Sequence, residues 1–205
     1  MKKAFTLAEI LITMGIVGVV SAMTIPALNQ SWQRDSYVTQ LRKVYSEVAQ
    51  AAVRLKTDRN VQTLKEARLS NDNLKQEFIN KYFVITRDCD TTLTNCFASS
   101  YKTVNGATIN TSTTSFGVCK SSIIASGAAL CYSLIPNNKR IRIIVDINGA
   151  KDPNIFGRDV FAMEVFANGQ VKDVNNGHSF KPDATKIYET YALGQIIKDN
   201  WKMTY

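Results

Sequence analysis

Hydrophobic positions follow three different rhythms along the chain. From Ile10 to Leu28 nineteen consecutive residues carry no formal charge, and most are Ile, Val, Leu, Met, Ala or Gly. As a helix this run would be about 28 Å long, close to the hydrocarbon thickness of a bilayer. In lipid a single such segment must be helical to satisfy its own backbone. Beyond it Val38, Leu41, Tyr45, Val48, Ala52 and Leu55 recur at alternating spacings of three and four. That is one face of an amphipathic helix, and Arg34, Gln40, Lys43, Glu47, Gln50 and Arg54 form the other. The two patterns predict one helix of about 50 residues from Phe5 to near Lys56, with a kink at Pro26, which lacks an N–H; two separate helices are the alternative. The third rhythm comes late and is β-branched: Ser115–Cys119, Leu130–Ile135, Arg140–Ile147, Val160–Ala167 and Gln170–Val174 read as strands.

Asn168-Gly169, between two such runs, is a hairpin signal, and Pro136-Asn137-Asn138 reads as a turn. Asp58–Asn60 reads as a helix end. A short helix through Leu74, Phe78 and Tyr82 would be capped by Asn71 or Asp72. Arg87–Ser115, rich in Thr, Ser and Asn, reads as a loop-rich insertion, and Ala184–Trp201 as a C-terminal helix. The fold class expected is α+β, with the long N-terminal helix packed on a small antiparallel sheet of about four strands.

Glu9 interrupts the simple membrane-anchor pattern. A carboxylate at membrane depth costs roughly a few kcal/mol and calls for a partner. No basic side chain lies between Lys3 and Arg34. An amine freed at Phe5 by cutting the chain after Ala4 would serve. Here the segment Lys2-Lys3-Ala4-Phe5-Thr6-Leu7-Ala8-Glu9 resembles the N-terminal signal of type IV pilins and type II secretion pseudopilins. The resemblance covers about one seventh of the chain. It implies a leader, residues 1–4, removed by a prepilin peptidase between Ala4 and Phe5, followed by N-methylation of Phe5. Glu9 matches the family's acidic residue and Pro26 its helix-kinking proline. Ala4 departs from the family's usual Gly.

The resemblance further implies a transmembrane and assembly helix over 5–28 and an extracytoplasmic pilin-like head over 29–205. Its partners would be copies of itself or related pilins in a helical filament, the peptidase, and an inner-membrane assembly platform. Two basic residues before the span put the N-terminus in the cytoplasm and the head outside. The alternatives are a secretory signal cut near Val20-Ser21-Ala22 and an uncleaved anchor.

Composition adds detail. Of 205 residues, 45% are hydrophobic and 20% charged, as in ordinary globular proteins. The net charge of +8 contains no run of five like charges. Lys139, Arg140 and Arg142 near Tyr132 could form a basic–aromatic patch. That supports a second function, a minor pilin-like receptor for DNA; a solvated edge strand is the simpler account. Cys89, Cys96, Cys119 and Cys131 all follow the span, on the oxidising side, and their spacing fits no zinc framework. Loop entropy favours Cys89–Cys96 and Cys119–Cys131 among the three connectivities.

Asp146, Asn148, Asp152, Asn154 and Asp159 place five oxygen-bearing side chains within 14 residues, and some pseudopilins bind calcium in a sheet-associated loop. The spacing is not that of an EF-hand, and Asx turns explain it as well. His178 stands alone in a polar loop, and no nucleophile, base or phosphate-cradling motif is present, so an enzyme is not expected. No cofactor is expected beyond a possible calcium ion.

Overall fold

The computed structural model describes residues 6–111, 116–135, 140–174, 180–181 and 192–205. The chain divides into two compact units, Met1–Ser36 and Tyr37–Tyr205. Helix α1 runs unbroken over 52 residues, Leu7–Asp58, and stays helical through Pro26. The three-and-four spacing has its expected effect within the second unit: Val38, Leu41, Val48, Ala52 and Leu55 are buried, joined by Val44 and Ala51. Asn60, at φ 48°, turns the chain just past the helix end.

A π-helical turn, Lys75–Ile79, leads into the short helix α2, Asn80–Tyr82. The cap expected from Asn71 is not made. Its side-chain amide instead pairs with the main chain of Leu134, accepting that residue's N–H at 2.7 Å. Ser70 and Asn73 exchange side-chain to backbone hydrogen bonds at 2.8 and 3.3 Å and order the turn there.

The sheet has six strands rather than about four. They are β1 (Ile85–Asp90), β4 (Lys120–Ile124), β5 (Ala129–Ile135), β6 (Arg140–Asp146), β7 (Val160–Val165) and β8 (Val171–Asp173). The order is β1-β4-β5-β6-β7-β8 and every pairing is antiparallel. The extra strands come from segments read as loop. β1 overlaps the insertion, and β2 (Ser100–Lys102) and β3 (Thr108–Asn110) form a separate ribbon inside it. The strand placed at Ser115–Cys119 lies instead at Lys120–Ile124. Its serines disguise it: Ser121 and Ser122 are fully buried, and their hydroxyls bond to the Asp90 carbonyl and the Tyr132 hydroxyl, each at 3.1 Å. Buried polar groups with partners cost little, so two serines survive in a core strand.

Period-two alternation divides the sheet between two cores. Leu130, Tyr132, Leu134, Ile141, Ile143, Val145, Phe161, Met163 and Val165 pack with the buried face of α1. Cys131, Ile144, Val160 and Ala162 point the other way, onto Phe97, Tyr101, Phe116 and Phe156. The insertion is therefore a lid on the sheet's second face, held by an aromatic cluster with ring centroids 5.3 to 5.8 Å apart. Both disulfides, Cys89–Cys96 and Cys119–Cys131, lie in this second core.

The hairpin β7–β8 turns at Asn168-Gly169, where Gly169 has φ 90°. Lys56 donates to the Asn168 carbonyl at 3.0 Å. Of the expected Ala184–Trp201 helix, the described residues contain helix α3, Leu193–Lys198, which ends before Trp201. Asn200 and Trp201 take positive φ and leave the helix, and 184–191 lie outside the described residues. Trp201 then packs edge-on against Tyr45, with centroids 5.3 Å apart.

Candidate functional site

The first half of α1 begins at Thr6, whose sequence relation to Glu9 is that of a capping box. Glu9 Oε2 accepts the backbone N–H and the hydroxyl of Thr6, both at 2.9 Å, while the Thr6 hydroxyl accepts the Glu9 N–H at 3.3 Å. Glu9 thus finds a partner on its own helix, one that a search for basic side chains overlooks. The Thr-x-x-Glu spacing was the available signal. Lys2, Lys3, Ala4 and Phe5 lie outside the described residues.

Along the same stretch the large apolar side chains face outward: Leu7 is 77% exposed, Met14 70% and Met23 74%. None of the most apolar 18-residue window is buried, and the helix is long and apolar enough to cross a membrane. Its threonines are satisfied internally. Thr13 donates to the Glu9 and Ile10 carbonyls and Thr24 to the Val20 carbonyl, all at 2.9 Å. Threonines that return their hydroxyls to the preceding turn can enter lipid without an unpaired donor.

The acidic loop of the second unit is turned inward. Asp146 and Asp159 are fully buried. Asp146 Oδ2 accepts the Tyr101 hydroxyl at 2.6 Å, and its Oδ1 accepts the Asn148 N–H at 3.3 Å. Asp159 accepts the N–H groups of Asn154 and Ile155 at 2.7 and 2.6 Å. Asn154 donates to Asp152, and Asn148 donates to the carbonyls of Lys151 and Asp152. Asp146 and Asp159 are thus spent on the chain itself. Among the described residues no three His, Cys, Asp or Glu side chains stand where they could hold a metal ion. The side-chain oxygens of Asn148 and Asn154 are buried and accept no hydrogen bond among the described residues.

Burial pushes the Asp146 carboxyl up to about 8, although the Tyr101 hydrogen bond favours its anion. Burial likewise pushes Asp159 up to about 6, against the two N–H donors. The Tyr101 hydroxyl is raised by burial and then by the charge of Asp146.

Among the described residues Tyr132 does not join Arg140 and Arg142 in a basic–aromatic patch. Tyr132 is buried on the α1 side of the sheet, whereas Arg142 sits at the opposite parity of β6. Arg140 and Arg142 both reach Glu164, a fully buried carboxylate on β7, at 2.8 and 2.9 Å. Strand β6 is central, so the edge-strand account fails with the patch. Two arginines spaced by two share one face, which is the sequence signal for a shared acid; which acid answered them was not legible. Lys139 and His178 lie outside the described residues.

No family model, curated protein or solved structure matches this chain. Geometry and chemistry alone therefore carry the functional argument, and they concentrate on the first half of α1. Its second half is built into a core, while its first half presents an unbroken apolar surface with one carboxylate at its tip.

Proposed function

We propose that this chain is a structural subunit of an extracytoplasmic helical filament, a type IV pilus or type II secretion pseudopilus. One observation carries the reading: a single 52-residue helix whose apolar first half is wholly exposed and whose second half is a core element of the head. A helix that is apolar all round is stable only in lipid or among other helices. Before assembly the bilayer covers it; in the filament, the first halves of neighbouring copies do. Repeated head-to-tail contacts that do not close a ring build such a filament. Two disulfides in the head support a compartment outside the cytoplasm. The chain's role in this scheme is assembly, with a prepilin peptidase and an inner-membrane platform as its processing and assembly partners.

Intact-mass analysis of membrane-extracted protein tests the reading at its first step. The mature chain is expected to lack Met1–Ala4 and to carry one added methyl group on Phe5. A mature N-terminus at Met23 would mark a secretory signal peptide and remove most of the apolar span.

A further inference from the structure

The chain has two tryptophans with opposite surroundings. Trp201 lies against the Tyr45 ring, with the Arg42 guanidinium 5.6 Å from its centroid. Trp32 is 81% exposed, in the middle of helix α1. It is the only large apolar side chain between Leu28 and Tyr37. Asn29, Gln30, Ser31 and Gln33 flank it, and the first charges past the span, Arg34 and Asp35, follow at once.

Its position relative to the span gives this isolated ring a meaning. Leu28 ends the apolar run, and Trp32 is one helical turn further on the same side, about 6 Å along the axis. With Leu28 at the edge of the hydrocarbon, the indole sits among the glycerol and headgroup atoms. That layer suits a large apolar ring carrying one N–H donor better than either water or hydrocarbon does. Glu9 lies 23 residues before Trp32, about 35 Å along the helix. That is slightly more than the hydrocarbon thickness of about 30 Å. An indole held in one interface therefore holds the Glu9 carboxylate at the opposite one, where a charge is affordable and can meet a partner.

We infer that Trp32 anchors α1 in the headgroup layer on the head side of the bilayer, and that its depth there sets Glu9 at the opposite interface. The inference rests on the membrane span of the proposed function, and the two can fail separately.

The test uses the full chain carrying Trp201→Phe, reconstituted in phosphatidylcholine vesicles. One set of vesicles carries bromine high on the acyl chains, and the other carries it near their methyl ends. An alkaline carbonate wash reads the span first: release from the vesicles overturns the span, and the anchor with it. In retained protein, Trp32 emission should be blue-shifted from its value in water. It should lose about half its intensity to the shallow bromines and little to the deep ones. A second variant, Trp32→Phe with Trp201 kept, should lose this depth pattern. Retained protein whose Trp32 emission stays at the water wavelength and is quenched only by aqueous iodide overturns the anchor while leaving the span. Stronger quenching by deep bromines overturns it too. Blue-shifted emission with no bromine quenching assigns Trp32 to a protein neighbour and likewise overturns it.

Discussion

Glu9 has two candidate roles, and single substitutions separate them. As a cap it bonds the Thr6 N–H and hydroxyl, an arrangement that Gln also supports. As a charge it would meet the amine of another subunit, where an unpaired buried ion is expensive and one axial offset is favoured. Thr6→Ala removes the hydroxyl half of the cap and should cost about 1 kcal/mol of helix-end stability. Glu9→Gln keeps most of the cap and removes the charge. If the charge sets the register, Glu9→Gln and Glu9→Val leave membrane insertion and head folding intact but abolish filaments counted by electron microscopy, while Thr6→Ala still assembles them. Filaments from Glu9→Gln at the parental level would reduce Glu9 to a cap. A second residue, Glu164, matters for stability alone. Glu164→Ala leaves the largely buried Arg140 and the adjacent Arg142 without their shared carboxylate. It should destabilise the protein by about 3 kcal/mol in denaturant titrations, the usual cost of removing one partner of a buried pair.

At the scale of elements, what could be read from the chain followed from how far each element's pattern extends. α1 was legible because an apolar run is followed by a periodicity that persists over about five turns, Val38 to Leu55, and β5 to β8 because β-branched runs alternate around a clear hairpin signal. β4 was misplaced because Ser121 and Ser122 look like loop residues until Asp90 and Tyr132 supply their partners. β2 and β3 are three residues each, too short for any period to show, and their stability comes from the aromatic cluster beneath them. Sequence shows the donor atoms of the five oxygen-bearing residues but not their direction; folding turns Asp146 and Asp159 inward. Cysteine pairing, in contrast, was legible from loop length alone. The Cys119–Cys131 bridge joins the residue before β4 to the first half of β5, within the core under the insertion. Replacing both cysteines by serine should lower stability by about 2–3 kcal/mol in the loop-entropy model. Because the lid shares that core, proteolysis within the insertion should accelerate before the α1–sheet core opens. Equal protection of both regions in a limited-proteolysis time course would show that the two cores open together.

For the whole molecule the two inward-facing aspartates give stability an unusual pH dependence. Asp146, at about 8, and Asp159, at about 6, both lie above the ordinary aspartate value of 3.8. Between 3.8 and those values the folded protein holds protons that the unfolded chain has released. Folding stability therefore declines as pH rises through this window, over its whole width for Asp146 and up to about 6 for Asp159. Carboxylates at the surface act in the opposite sense. Asp88 is held low by its hydrogen bond to Lys75, and Asp58 by hydrogen bonds from Tyr82 and Lys81. Their contributions are present above the ordinary carboxylate range and are lost only as pH falls through their depressed values. The two trends place maximum stability in acidic solution, close to the ordinary carboxylate range, and predict a higher denaturation midpoint at pH 5 than at pH 8. Asp146→Asn identifies the source. Its oxygen can still accept the Asn148 N–H, and its amide can donate to the Tyr101 oxygen, much as the protonated acid does. This variant should match the parent below the ordinary aspartate value of 3.8, exceed it by a growing margin as pH rises toward 8, and flatten the decline between pH 5 and 8. Asp159→Asn should destabilise at every pH, because both of its carboxylate oxygens accept backbone N–H groups and an amide would set a donor against one of them. An Asp146→Asn protein that keeps the parental slope from pH 5 to 8 would place the titrating group elsewhere.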